Sequence, residues 1–533
     1  MKTFLLGLDG GTFSILDPLM DMGIMPFLKD FVANGVRGEL LSTPNPLTPP
    51  AWTSVATGRS PGNHGIFDFI RPEQTEDGIY IKLQGSRDVR CETLWSMASR
   101  QEKRVAVLNF PLTYPPPSIA GIVIPGFVPI RHLSRAVYPP DFYPRMKALL
   151  GLNAQDLALD LDLEKKGIQG LPEEEYEEWI RFHIRRDQHW LTLLRYIMEK
   201  EPCDLTAIVF DGTDKLQHLA WRLIDPSIFP ANPTQWEAKI HGLCLDYFRQ
   251  LDGFLAEIVS MAGPEARFFI VSDHGFGPAS DIFYLNVWLH QRGYLQWGQD
   301  GVPMDEDEKM LAMRMKTQYG LIDWNKTTAY ALTPSSNGIY IRVSRVPGAP
   351  GIPPEQYEPF RNDLINALLD FADPETGEPI VSRVLKREDA FPGTQMHLAP
   401  DLTLVLRDHG FISILNSQAP LKRRKEPKGM HRPEGIFMAS GRGIRKGVVI
   451  PQLSIIDVCP ALLYSLDLPI PEDIEGHLVE EVFEPSLLAL KPSLVREMTM
   501  GAVASSRQNG EPSLASPDDE AVLARLKALG YIE

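Results

Sequence analysis

The chain has 533 residues, an ordinary apolar fraction of 44%, and 53 basic against 69 acidic side chains, for a formal charge of −16. That length exceeds one simple core and predicts a large α/β domain with insertions, or two to three domains. The negative field opposes a role on nucleic-acid polymers, whose phosphates it repels.

The opening run MKTFLLGLDGG is broken by Gly7 and Asp9 and has no small-residue cleavage site after it. It reads as a first strand, Thr3–Leu8, and not as a signal peptide. Further short apolar runs, at Arg104–Leu108, Gly121–Ile124, Leu205–Phe210, Phe268–Val271 and Asp401–Leu406, end in polar or glycine residues and read as buried parallel strands. Helical patterns such as Met25–Asn34 and Cys244–Met261 lie between them. The expected fold is therefore α/β, a mostly parallel central sheet with helices on both faces.

Core segments are expected at 1–133, 201–290 and 390–490. Between them, 134–200 is charged and helix-rich after Tyr138-Pro139-Pro140, and 291–389 mixes acids, prolines and a strand-like Gly338–Val343. Both read as insertions that cover the sheet edge and shape substrate access. The basic run Leu421–Lys428 reads as a solvated loop. Residues 491–515 read as a linker, and 516–533 as a short C-terminal helix opened by Ser516, with Pro517 and two acids in its first turn. No stretch approaches the roughly 20 apolar residues that span a bilayer. The four cysteines, Cys91, Cys203, Cys244 and Cys459, have no paired spacing. A soluble, cytoplasmic protein with reduced thiols and no membrane attachment is expected.

The candidate functional residues sit where strands end. Asp273 and His274 close the run ARFFIVSDHGFG, placing a carboxylate and an imidazole at the sheet edge where ligands bind in open α/β sheets. Asp9 follows the first strand and can serve there too, or simply cap the next helix. Asp214 and His218 have the i, i+4 spacing that shares a helical face, which suits a metal or a surface contact. Thr48 stands before Pro49 as a turn residue would. His431 sits in a polar stretch before an apolar strand, a setting that usually leaves a histidine exposed.

Together these segments resemble the type I phosphodiesterase and nucleotide pyrophosphatase branch of the alkaline phosphatase superfamily. The resemblance rests on Leu8-Asp9-Gly10, Thr48 through Gly58, His64-Gly65-Ile66, Asp214 with His218, Ser272-Asp273-His274-Gly275, and His431. It implies an alkaline-phosphatase-like fold and two divalent metal ions. Asp214, His218 and His431 would hold one ion; Asp9, Asp273, His274 and the Thr48 hydroxyl would hold the other. Such donors suit Zn²⁺, with Mn²⁺ as an alternative.

The implied reaction is hydrolysis of a phosphodiester or phosphoanhydride through a phospho-threonine on Thr48, with the ions about 4 Å apart. The implied partner is a small phosphorylated substrate. Lys215 can offset phosphate charge or be solvated, and Asn109 is a weaker candidate for the pocket wall. His64 is read as structural, because the ligand set is complete without it.

Two departures weaken a transfer of nucleotide specificity. Where the family carries a phosphate-binding asparagine this chain has Phe67-Asp68-Phe69, and Pro49 after the nucleophile has no N–H to offer. A phosphomonoesterase or phosphonate hydrolase of the same superfamily, and an inactive metal-binding scaffold, are the alternative readings. Oligomeric state is not legible.

Overall fold

The computed structural model describes residues 2–75, 78–158, 171–298, 321–344, 346 and 348–490. The expected linker 491–515 and C-terminal helix 516–533 lie outside these residues. In chain order, the strands used below are β1 (Thr3–Leu8), β2 (Val36–Leu41), β3 (Val105–Leu108), β4 (Gly121–Ile124), β5 (Leu205–Phe210), β6 (Arg267–Val271), β7 (Gly275–Tyr284), β8 (Ala329–Tyr330), β9 (Gly338–Ile341), β10 (Val381–Lys386), β11 (Leu402–Leu406), β12 (Leu421–Arg432) and β13 (Glu434–Gly441). The helices are α1 (Pro26–Ala33), α2 (Thr48–Thr57), α3 (Tyr176–Lys200), α4 (Gly212–Ile224) and α5 (Gln235–Ala262).

The central sheet runs β2-β13-β6-β1-β5-β3-β4, with short strands flanking β2. From β6 to β4 all pairings are parallel, and β13 runs antiparallel between β2 and β6. Leu8 lies opposite Phe210, Gly7 opposite Val271, and Glu434 opposite Leu41. The ends of β1, β2, β5 and β6 and the start of β13 therefore share one edge.

The apolar runs are continuous because both faces are covered. Phe4, Leu6 and Leu8 pack on one side with Ile208, Phe210, Phe268 and Ile270, under α1, α3 and α5. Leu5, Val209, Phe269 and Val271 pack on the other with Trp52 and Val55 of α2 and the helix Val458–Ser465. Within the stretch read as a helical insertion, α3 contributes Trp190, Leu191, Leu194 and Ile197 to the first of these layers.

A second sheet, β8-β9-β11-β10, is antiparallel and packs its own core of Leu332, Ile339, Leu364, Leu402 and Leu404. The apolar run Leu402–Leu406, expected among the parallel strands, belongs here. Hydrophobicity marks a strand as buried but not which sheet buries it.

The basic run is also not a loop. It forms most of β12, which pairs antiparallel with β7 in a small sheet whose register shifts between Arg423 and Lys428. Pro427 falls within that irregular stretch, where a missing N–H is tolerated. Basic side chains suit an edge strand because they deter further pairing. β12 then carries His431 into the core, fully buried, against the expectation of exposure. Among the described residues no helix is long and apolar enough to cross a membrane.

Strand β12 and helix α4 approach closely at Gly429. A Cβ there would lie 2.2 Å from the Gln217 carbonyl oxygen and 3.1 Å from the Trp221 Cβ. Gly429→Ala is expected to destabilise the protein by roughly 1–3 kcal/mol, the range for overpacking. Urea unfolding measures this, and an unchanged midpoint would contradict the close approach.

Candidate metal centre

Four elements deliver the six candidate ligands to the shared sheet edge. Asp9 follows β1, Asp273 and His274 follow β6, Asp214 and His218 lie on α4 after β5, and His431 lies near the end of β12. The fold gathers them into two trios, Asp214 with His218 and His431, and Asp9 with Asp273 and His274, the ligand atoms of each lying within 4.8 Å of one another. The trios adjoin: the His274 and His431 rings stack with centroids 3.6 Å apart. His218 is partly buried and the other five are buried.

The imidazoles share one hydrogen-bonding scheme. His218 Nδ1 lies 3.1 Å from the Gly429 carbonyl oxygen, His431 Nδ1 2.8 Å from that of Pro46, and His274 Nδ1 3.1 Å from that of Gly275. A carbonyl can only accept, so each Nδ1 carries a proton, and the two rings that burial disfavours charging, His274 and His431, present a lone pair at Nε2. Those Nε2 atoms meet more acceptors. His218 and His431 Nε2 are 3.0 Å apart and lie 3.4 and 3.3 Å from Asp214 Oδ1; His274 Nε2 lies 3.3 Å from Asp273 Oδ2. The His274 and His431 lone pairs, set against carboxylates, repel them unless a cation lies among them.

The carboxylates repeat the pattern. Asp9 Oδ2 accepts from Trp52 Nε1 at 3.1 Å, and Asp273 Oδ1 accepts from the Gly10 N–H at 3.1 Å. Asp9 Oδ1 and Asp273 Oδ2 are buried without a hydrogen-bond partner, as are His274 Nε2 and Thr48 Oγ1. Buried polar atoms are almost always satisfied, so orphans on all three members of one trio mark a candidate ligand site. Mixed imidazole and carboxylate donors fit Zn²⁺ or Mn²⁺.

Titration tendencies agree with that fit. Burial, then the charges of Asp273 and Asp214, push the Asp9 carboxyl well above the usual carboxylate range. Burial does the same to Asp273, against the Gly10 N–H. Burial also opposes ionisation of Asp214, but His218 and Lys215 beside it hold its carboxyl well below the usual range. Burial keeps His274 and His431 neutral, lowering both. A divalent ion would bind the neutral His274 and His431 and overcome the reluctance of Asp9 and Asp273 to ionise.

Thr48 is the first residue of α2 and is fully buried. Pro46, two residues before it, bonds His431, and Trp52, one turn onward, bonds Asp9, so the segments flanking Thr48 reach one trio each. Lys215 is buried, not solvated, with Nζ 3.3 Å from Asp214 Oδ2. Asn109 spends its amide N–H groups on the Val209 carbonyl and Asp211 Oδ1, at 2.9 and 3.2 Å, which makes it a brace for the strand leading to α4.

His64 is structural. The Ile66 N–H donates to its Nδ1 at 3.1 Å, so the proton is on Nε2, 3.0 Å from Ser54 Oγ of α2. Sequence reasoning missed several supports: Trp52, Ser42, whose hydroxyl donates to the Asp273 carbonyl, and Gln217, whose amide donates to the Gly10 and Thr213 carbonyls at 2.9 and 3.1 Å. Trp52 was accessible to helical periodicity, four residues after Thr48.

The sequence profile of the family described as type I phosphodiesterase/nucleotide pyrophosphatase matches residues 3–434. No curated protein matches the chain in sequence. Among solved structures, murine ectonucleotide pyrophosphatase/phosphodiesterase 5 is similar with a TM-score of 0.51 at 13% identity, covering 91% of this chain and 100% of that one. An inactive threonine-to-alanine variant of the murine protein, in complex with AMP, gives the same figures. The human counterpart has a TM-score of 0.50 at 14% identity, with 91% and 100% coverage.

Adding Zn²⁺ or Mn²⁺ to chelator-stripped protein is expected to raise its unfolding free energy by about 2.7 kcal/mol at a hundredfold excess over Kd. Asp9→Asn should cut that gain; equal gains in both proteins would remove Asp9 from the site. His64 supplies a pH test. Burial pushes its imidazole from 6.5 down to about 3, so between those values the unfolded chain binds a proton that the native one refuses. Stability should therefore fall with falling pH by up to about 1.4 kcal/mol per unit from this residue. Comparing urea midpoints at pH 7 and pH 5, His64→Gln should show a smaller drop than the parent.

Proposed function

The chain belongs to the type I phosphodiesterase/nucleotide pyrophosphatase family, whose members are phosphoric ester hydrolases, and from that premise we propose that it hydrolyses phosphodiester or phosphoanhydride bonds with Thr48 as nucleophile. One observation carries the reading: a buried threonine hydroxyl without a hydrogen-bond partner, at the N-terminus of a helix, whose flanking residues Pro46 and Trp52 bond one member each of two trios of metal-type ligands. The murine neighbour supports it, since that protein is inactive as a threonine-to-alanine variant and binds AMP.

Asp214, His218 and His431 would hold one divalent ion, and Asp9, Asp273, His274 and the Thr48 hydroxyl a second, with Zn²⁺ favoured by the donor set and Mn²⁺ as the alternative. Bound there, such ions supply Lewis acidity, favouring proton loss from a hydroxyl and offsetting charge on a phosphoryl group. Thr48 Oγ1 attacks phosphorus, the Oγ1–P bond forms and the bond to the leaving oxygen breaks. Water then cleaves the phospho-threonine and regenerates the hydroxyl.

The rest of the chain sets the conditions. Residues around Thr48 are buried, which keeps bulk water from competing with the hydroxyl. Pro49 and Pro50 remove two N–H groups that a helix start would otherwise offer an anion. Transition-state charge is left to the Thr48 N–H, the Lys215 ammonium and the divalent ions that the two ligand sets would hold. The substrate is a small phosphorylated molecule, and four unpaired cysteines support a reducing, cytoplasmic location.

Thr48→Ala, assayed with bis-p-nitrophenyl phosphate, should keep its metal and lose on the order of a thousandfold or more in kcat. Undiminished turnover would overturn the assignment. Parallel rates on p-nitrophenyl phosphate separate a diesterase from a monoesterase, and a diester rate below the monoester rate would reverse the preference proposed.

A further inference from the structure

The segment that carries the nucleophile is anchored on two sides. On the metal side, the Ser42 hydroxyl donates to the Asp273 carbonyl, the Ser42 N–H donates to the Pro433 carbonyl at 2.8 Å, and the Pro46 carbonyl accepts from His431. On the other side it meets the second sheet. Asn45 Nδ2 donates to the Ser335 carbonyl at 2.9 Å, and the Leu47 side chain, next to Thr48, is fully buried in the core of that sheet with Phe69, Ala329 and Ile339.

Ser335 belongs to the turn between β8 and β9, Thr333-Pro334-Ser335-Ser336-Asn337. A polar hairpin tip normally faces water, yet every residue here is buried. What receives it is Asp68. The Thr333 hydroxyl donates to Asp68 Oδ2 at 2.6 Å, the Ser335 hydroxyl to both carboxylate oxygens at 2.9 and 3.1 Å, and the Phe69 N–H to Oδ1 at 2.6 Å. Burial still pushes this carboxyl up to about 7 against those three donors, so their geometry holds it in place. The ionisable group facing it from β9 is Tyr340, whose phenol Asp68 helps to raise.

We propose that Asp68 is a positioning residue for the nucleophile, fixing the buried hairpin tip 333–337, which in turn fixes Asn45 and Leu47 and so the start of α2 at Thr48. The chain of contacts runs from Asp68 through Ser335 to Asn45, three residues before Thr48. Asp68 touches none of the trios, so its loss should leave metal binding intact and act on the chemical step. The inference rests on Thr48 being the nucleophile as proposed above.

Hydrogen exchange and kinetics of the metal-loaded full chain test it, with Asp68→Ala and the shape-conserving Asp68→Asn. Asp68→Ala should speed exchange about tenfold in both 331–338 and 42–48. It should lower kcat on bis-p-nitrophenyl phosphate by about tenfold to a hundredfold, with KM and bound metal unchanged. Asp68→Asn, whose amide can still meet the two hydroxyls, should recover most of both. Faster exchange confined to 66–70, with 42–48 as in the parent, would overturn the proposal. So would loss of bound metal in step with loss of activity. If Asp68→Ala does not fold, Thr333→Val and Ser335→Ala carry the same readouts. A parent protein inactive on every phosphoester, yet showing the coupled exchange, would refute the catalytic reading and leave the clamp standing.

Discussion

Six ionisable side chains converge at one end of a parallel sheet, five of them out of contact with water, and the repulsion among them is the constraint around which this molecule is arranged. Three imidazoles with Nδ1 committed to carbonyls turn Nε2 towards carboxylates, and burial opposes charging two of them, His274 and His431. In a low-dielectric interior that arrangement is costly without positive charge among the groups. The surroundings hold each group by the atom that faces away. Trp52 and the Gly10 N–H occupy one oxygen each of Asp9 and Asp273, and backbone carbonyls occupy the outer nitrogens of the histidines. Such partners orient ligand atoms and fix their tautomers, and they matter to a metal centre nearly as much as the ligands do.

The same constraint accounts for the closeness of the packing. Gly10 has a φ of +67°, and a Cβ on it would lie 2.5 Å from the Phe276 ring. Gly435 would meet Ser272 Oγ at 2.4 Å. Chain segments from distant parts of the sequence can bring ligands within bonding reach of common points only if their backbones nearly touch, and glycine permits that approach. Lys215 contributes charge from inside: buried beside Asp214, its ammonium helps keep that carboxylate ionised where burial alone would protonate it.

The proposed nucleophile would obey a second demand, since it must be fixed relative to both trios while leaving room for substrate. The structure meets it by placing Thr48 at the seam between two cores. Trp52 and Val55 of α2 are built into the central sheet, whereas Leu47, immediately before Thr48, is built into the antiparallel sheet. The second sheet is thus more than a cover over the first. Its buried polar tip reaches the loop that presents the hydroxyl, which gives this less regular part of the chain a physical route to the chemistry.

Much of this was legible from residue order alone. The runs Thr3–Leu8, Gly121–Ile124 and Leu205–Phe210 announce themselves as buried strands because both their faces are apolar, and an acid or histidine just past a strand end marks a sheet edge. Asp9, Asp214, His218, Asp273 and His274 stand at such ends, so their chemistry follows from local pattern together with the resemblance those motifs carry. What local pattern could not determine depends on partners far away in the chain. Leu402–Leu406 looks like any buried strand, and only its pairing with Gly338–Ile341 and Val381–Lys386 assigns it to the second sheet. The basic run before His431 looks solvated, and only the strand beside it makes it an edge strand that carries a buried candidate ligand. Asp68, surrounded in sequence by phenylalanines, gains its role from hydroxyls more than 260 residues away. Sequence by itself determined which atoms can do chemistry, because donor identity and helix or strand periodicity are local properties. Tertiary structure decided which of them meet, because burial, pairing and hydrogen-bond satisfaction are settled only when distant segments pack.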